Sequence, residues 1–404
     1  MAQKAYKLLT RLIENFDLVF VALGFLTQFG IIYSDLPRGF ESGKILAFSL
    51  LLVTGIVFVA SKLLYSPQSV FNNLSRRQWI YVLLGVSTSL GLGIISTIYS
   101  EWPHIALWGN FFRNTGLIFY AQLHVLFIMT IIIAKPKHLI HYLNIFILTL
   151  LIQLPFVLSN LINLNSIEQF YSGYYVGGSF GQNNFLAGQL ISGVLISLGV
   201  YLFYRRKSIY LLAFITFAAM IFATMSRAGI IFLFIIPIIA LCLWKIKLMV
   251  AKITAVILPA LLIVLVLTIT TTVIWKTDEA RRLYAQGAVD LVTKKPLAGY
   301  GLDTFLEGSK QVALGDRNVD RVHHMFLDIA YSLGIPLALC AFLFLIAVVV
   351  TSRDKRSFLY SLPILIFLIT TVVHTKSAYH YVELSLFLGL WLVAYLDKDS
   401  SQYK

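Results

Sequence analysis

The feature that most limits this chain is a repeated apolar run. Stretches of about 20 residues with almost no charge recur from end to end, long enough to cross the hydrocarbon of a bilayer as helices. They fall at about 16–33, 44–65, 78–99, 116–134, 138–160, 183–204, 208–225, 228–245, 252–275, 323–350, 357–375 and 378–396. Charged residues make up only 12% of the chain and apolar residues 59%, where soluble domains carry about 25% charge. The expectation is an all-α, polytopic membrane protein of about 12 transmembrane helices, folded as a single integral membrane domain over 1–404. Twelve spans use about 240 residues, so the connections are mostly short and one large soluble domain is excluded.

The excess of basic residues, net +14, would suggest nucleic acid in a soluble protein. Its placement argues otherwise. Lys4, Lys7 and Arg11 precede the first run, and Arg76-Arg77, Lys135, Arg205-Arg206-Lys207, Lys245 and Arg353-Asp354-Lys355-Arg356 fall in alternate connections. Cationic short loops stay cytoplasmic, so both termini are expected inside. The first run continues to about Ile32, too long for the core of a cleaved signal peptide, and reads as a retained first span. Cys242 and Cys340 lie inside apolar runs, outside any C-x-x-C pair, and read as packing residues.

One connection breaks the pattern. The loop 277–322 carries Arg281, Arg282, Lys294, Lys295, Lys310, Arg317 and Arg321 on the outer side, where the charge rule disfavours them. Residues 279–295 have helical composition, with Ala280, Tyr284, Ala288, Leu291 and Val292 on one face, and are expected to lie as an amphipathic interfacial helix. Three further outer segments stand out. Ser100–Gly116 is aromatic, with Arg113 in its middle; it reads either as an interfacial belt or as a groove lined by Trp102, Trp108 and Arg113. Tyr171–Asn184 is glycine-rich, and Asn183 or Asn184 could cap the helix that follows, whose N-terminus offers N–H groups to an anion. Ser226-Arg227-Ala228-Gly229 is a short turn that places a charge at the outer boundary. At the end of the long loop, His323 and His324 are adjacent. Neighbours on a helix do not face one another, so a metal is not expected. A general base is, since an imidazole with a pKa near ~6.5 suits proton removal from a hydroxyl. Asp328, one turn further on, is placed either to orient a histidine or to bind substrate.

At these residues the chain resembles the O-antigen ligase and polymerase superfamily of bacterial membrane glycosyltransferases, which also includes protein O-oligosaccharyltransferases. Gly178-Ser179-Phe180-Gly181-Gln182-Asn183-Asn184-Phe185-Leu186-Ala187-Gly188 is similar to the family's G-[TS]-F-G-N-P-N-[YF]-L-A-[GA], with Asn183 at the usual proline. Ser226-Arg227-Ala228-Gly229 resembles its S-R-[SAG]-[AG] turn. Arg281 through Pro296-Leu297-Ala298-Gly299-Tyr300-Gly301 to Phe305 is similar to R…P-L-L-G-x-G-x-x-x-F. Asp320-Arg321-Val322-His323-His324-Met325-Phe326-Leu327 resembles D-R-A-H-N-x-F-L, with His324 at the usual asparagine.

The resemblance implies a GT-C-like architecture in a bacterial plasma (inner) membrane. It also implies en bloc transfer of an undecaprenyl-diphosphate-linked glycan to an acceptor hydroxyl on a glycan, lipid or protein, with neither cofactor nor metal. His323 would then be the base, with His324 as the alternative. Arg227 and Arg281 would hold the diphosphate, and Arg113, Arg282, Asn184, Arg321, His324 and Asp328 would bind substrate. A multispan transporter or flippase for a lipid-linked or anionic substrate is the alternative function. Such proteins bind near the midplane between repeated halves, and no repeat is evident here.

Overall fold

The computed structural model describes residues 13–30, 39–65, 70–163, 176–204, 206–245, 279–312, 319–322, 324–352, 354–371 and 377–397. Among them there are helices and turns and no strand. In chain order the helices are α1 (Phe16–Leu26), α2 (Gly39–Tyr65), α3 (Arg76–Ile98), α4 (Pro103–Trp108), α5 (Leu117–Ile133), α6 (Leu139–Leu151), α7 (Gln153–Ile162) and α8 (Asn183–Phe203). They continue as α9 (Ser208–Ala223), α10 (Arg227–Lys245), α11 (Glu279–Lys294), α12 (Phe305–Gly308), α13 (Met325–Leu333), α14 (Ile335–Thr351), α15 (Lys355–Thr371) and α16 (Ala378–Leu396).

Six helical stretches are long and apolar enough to cross a membrane: Glu41–Tyr65, Arg76–Ile98, Pro136–Ile162, Asn183–Phe203, Arg227–Lys245 and Ala378–Leu396. Shorter apolar helices stand at Phe16–Phe29, Leu117–Ile133, Ser208–Ala223 and Ile335–Thr351. The expected span 252–275 lies outside the described residues.

Local sequence accounts for several boundaries. Ser75 and Gln78 form a reciprocal capping box at the start of α3, satisfying two N–H groups that a helix start otherwise leaves open. Helix α8 is largely enclosed, packed against α9, α10, α15 and α6. Gly199 permits its approach to α15, since a Cβ there would lie 2.3 Å from Leu359 Cδ2, and small residues let helix backbones close on one another. By contrast α3 leaves Leu83, Leu84, Ile94 and Ile98 exposed. Such a face is stable against lipid, where its backbone is satisfied within the helix.

The expected single span 323–350 is broken. Helix α13 ends at Leu333 and α14 begins at Ile335, with Gly334 between them at φ +89°. A Cβ on Gly334 would lie 2.1 Å from the Leu297 carbonyl oxygen, and the Ile335 N–H donates to the Pro296 carbonyl at 2.8 Å. The turn at 296–299 thus passes through the space that a continuous helix would fill. Helix α13 belongs instead to a small second core. Ala288, Leu291 and Val292 of α11 pack there with Tyr300, Phe305, Ala330 and Tyr331. Tyr300 stacks on Tyr331 with ring centres 5.0 Å apart. The amphipathic face expected along 279–295 is therefore buried against protein.

Candidate functional site

The second core sits at the end of the bundle that the charge pattern assigns to the outside, and α3 ties it down. Ser96 Oγ donates to the Ser332 carbonyl at 2.6 Å and Ser100 Oγ to the Tyr300 carbonyl at 2.6 Å. Lys295 pairs with Glu101 at 2.7 Å, and its ammonium lies 4.5 Å from the Tyr300 ring centre. The hydrogen bonds from Lys295 and Gln311 hold the Glu101 carboxyl below its ordinary range.

Beside this core lies a buried polar hub. Asp303 follows the Gly301 turn at φ +59°, a strained conformation for a residue with a side chain. Its carboxylate accepts from the Asn110 N–H at 2.8 Å, the Asn110 side-chain amide at 2.8 Å and the Thr115 N–H at 3.0 Å. Arg321 approaches it at 3.1 Å and also donates to Thr115 Oγ1. Burial pushes the Asp303 carboxyl up, against the pull of Arg321 and the two backbone donors. Burial would lower Arg321, but Asp303 beside it more than offsets this, so the guanidinium stays charged. One further pair closes the arrangement: Arg113 Nε donates to Asp320 at 2.6 Å. Segment 110–115 is thus joined to the end of the long loop by the partly open Arg113–Asp320 pair and by hydrogen bonds to both members of the enclosed Arg321–Asp303 pair.

The same segment is pinned on its other side. Asp328 accepts from the Val322 N–H at 2.9 Å, so it orders the backbone before position 323. His324 caps α13, its Nδ1 accepting from the Leu327 N–H at 3.5 Å, and burial lowers its pKa.

The glycine-rich turn meets this cluster from the bundle side. Neither Asn183 nor Asn184 is the cap of α8; Gln182 occupies that position without a side-chain bond. Both asparagines reach across to the 224–226 turn instead. Asn183 donates to the Thr224 carbonyl at 3.2 Å, and Asn184 Oδ1 accepts from Ser226 Oγ at 2.7 Å. The two motifs flanking this contact are therefore one structural unit, from which Arg227 starts α10 with an exposed side chain. Phe185, the next residue after Asn184, lies 5.9 Å from the Arg113 guanidinium and 5.8 Å from the His380 ring. His380 Nε2 donates to the Phe185 carbonyl at 3.1 Å.

Sequence reasoning missed four contributors. Asp303 and Asn110 carry the hub, and the only local signal is polar residues beside the glycine turns at 109 and 301. Glu41 and Lys44 are buried at the start of α2. Glu41 accepts from the Ala378 N–H at 2.8 Å, and the Lys44 ammonium lies 5.5 Å from the Phe180 ring centre. Two charges one turn apart at the edge of an apolar run were the available sign.

Of the residues expected to act, Arg113, Arg321 and Asp328 come together, and Asn184 joins the turn that carries Arg227. Arg281 and Arg282 lie in the first turn of α11, and their side chains fall outside the described set. His323 lies outside the described residues. No group of three or more His, Cys, Asp or Glu among the described residues could hold a metal.

An all-helical, multi-pass membrane protein with a charged cluster gathered at one end of its bundle is the class that the fold and site define. Residues 211–342 match the family model described as O-antigen ligase, a stretch that includes Arg227, Arg281, Arg282, Asp303, Arg321, His324 and Asp328. Over that stretch the chain is similar to the O-antigen ligase and polymerase superfamily that its motifs resemble. No curated protein matches the chain.

Proposed function

We propose that the protein transfers a glycan en bloc from undecaprenyl diphosphate to an acceptor hydroxyl at the extracytoplasmic face of the inner membrane. The observation that carries this reading is the O-antigen ligase match over 211–342, which contains the Arg227 turn, packed on the glycine-rich turn through Asn184 and Ser226. In the reaction the acceptor oxygen attacks the anomeric carbon. The bond from that carbon to the phosphate oxygen breaks, and the diphosphate leaves with the electron pair. Arg227 and Arg281 bind the diphosphate oxygens, since a guanidinium presents a planar fork that matches them, and stabilise the charge that develops on departure. His323 takes the proton of the acceptor hydroxyl, with His324 the alternative base. The chemistry requires no redox step and no nucleotide.

The test is transfer from purified undecaprenyl-diphosphate-linked glycan by protein in nanodiscs. His323→Ala and Arg281→Ala are each expected to lower the rate by about 100-fold or more. Wild-type activity in both variants would defeat the mechanism. Lipid translocation without transfer would favour a flippase.

A further inference from the structure

The hub at the outer end carries a charge balance that does not suit a diphosphate. Arg113 and Arg321 are its two cations, and Asp303, Asp320 and Asp328 are its three carboxylates. Each guanidinium is already engaged, at 2.6 Å by Asp320 and at 3.1 Å by Asp303. A diphosphate brought here would have to displace a carboxylate and would meet two more. Like charges in a buried site repel strongly, because little water screens them.

The hub is not closed on itself, however. Arg321 is more than nine-tenths buried, yet its Nε has no hydrogen-bond partner among the described residues. A buried donor left unpaired costs stability, so this one points to an acceptor supplied by something else. The chemistry of the surrounding groups defines that acceptor. A guanidinium only donates and a carboxylate only accepts, whereas a hydroxyl does both. The phenols of Tyr120 and Tyr381, with rings 5.8 Å apart, lie within the electrostatic reach of Arg321 and add groups that both donate and accept.

We propose that this hub is a subsite for an uncharged, hydroxyl-rich sugar ring, and that it excludes the diphosphate. The inference rests on the transferase reading and divides its labour. Arg113 and Arg321 serve the sugar side, while Arg227 and Arg281 are left to the lipid diphosphate. A hydroxyl bridging Arg321 Nε and a neighbouring carboxylate uses both of its capacities. A uronic acid, which brings a further negative charge, is disfavoured.

The experiment uses the full chain in nanodiscs, with saturation-transfer difference NMR as the readout. The probes are free glucose, galactose and N-acetylglucosamine, glucuronic acid, inorganic pyrophosphate and undecaprenyl diphosphate. Neutral sugars are expected to give a signal in wild type that inorganic pyrophosphate does not displace. Tyr381→Phe and Asp320→Asn are expected to weaken that signal about tenfold, the loss of about one charge-assisted hydrogen bond. Asp320→Asn also admits glucuronic acid. Undecaprenyl diphosphate binding is expected to persist in both variants and to fall in Arg227→Ala. Neutral sugars that give no signal in wild type, or that pyrophosphate displaces, overturn the subsite. So does undecaprenyl diphosphate binding that is lost in Arg321→Gln and retained in Arg227→Ala. Neutral-sugar binding that survives where undecaprenyl diphosphate fails to bind wild type would support the subsite and overturn the donor assignment.

Discussion

At the scale of single residues, the sequence shows where charge lies but not what each charge faces. Arg321 reads as a substrate ligand because it is a cation in an outer loop. Its partner Asp303 lies beyond the 313–318 stretch, at an unspecified position of the 296–305 motif, and its other neighbours come from segment 110–115 about 200 residues away. Removing one member of a buried pair leaves an uncompensated charge, at a cost of about 3–5 kcal/mol. Asp303→Asn is therefore expected to lower the melting temperature in detergent markedly. Asp320→Asn, at the partly open pair, should cost about 1 kcal/mol or less, and a larger effect from Asp320 than from Asp303 would contradict the hub.

His324 supplies a pH dependence. Burial lowers its folded pKa below the ordinary 6.5, so the unfolded chain binds more protons in the window just below that value, and stability rises with pH there. This contribution is complete above about pH 6.5 and is lost as pH falls. His324→Asn keeps a residue suited to the N-cap of α13 and removes the titration. Its melting temperature is expected to fall less than that of wild type between about pH 7 and pH 5. Parallel curves would show that His324 is not the group responsible.

At the scale of elements, hydropathy located helices well and their breaks poorly. The expected span 378–396 coincides with α16 (Ala378–Leu396), and 183–204 with α8 to within one residue. Both are predominantly apolar runs with no proline inside them. The run at 323–350 looked the same, because its mean hydropathy stays high across Gly334 and Pro336, the two residues that mark the break. What broke it is a steric requirement of the folded chain, the 296–299 turn filling the space beside Gly334. The φ of +89° there strains any other residue by about 1–3 kcal/mol, before the collision with Leu297 is counted. Gly334→Ala is expected to destabilise by at least that much and to expose the 296–312 stretch to limited proteolysis. Unchanged proteolysis and melting would argue for a continuous span. The asparagines of the glycine-rich turn teach a related lesson. They are good capping residues by type, but the 224–226 turn offers them a carbonyl and a hydroxyl across the bundle, and those tertiary partners win.

At the scale of the whole molecule, apolar runs and the distribution of Lys and Arg defined a multi-pass membrane protein and proposed its orientation. That orientation places Lys310 outside and Lys207 in the cytoplasm. With Cys242 and Cys340 changed to Ala, Lys310→Cys is expected to react with a membrane-impermeant maleimide in intact spheroplasts. Lys207→Cys should react only after permeabilisation, and the reverse pattern would invert the topology and the site with it. Sequence alone was sufficient for the class of protein, for most helices and for the stretches that resemble the O-antigen ligase superfamily, because each of these is written in local composition and spacing. The opening observation, a row of apolar runs, needs no tertiary information, since lipid selects for it residue by residue. Only the tertiary structure decided that Arg113 and Arg321 are paired with carboxylates, that Asp328 orders the backbone before position 323, and that the amphipathic face of α11 meets protein. Those outcomes depend on which distant segments come within about 3 Å of one another, and hydrogen bonds and ion pairs of that range are set by packing and leave no period in the sequence.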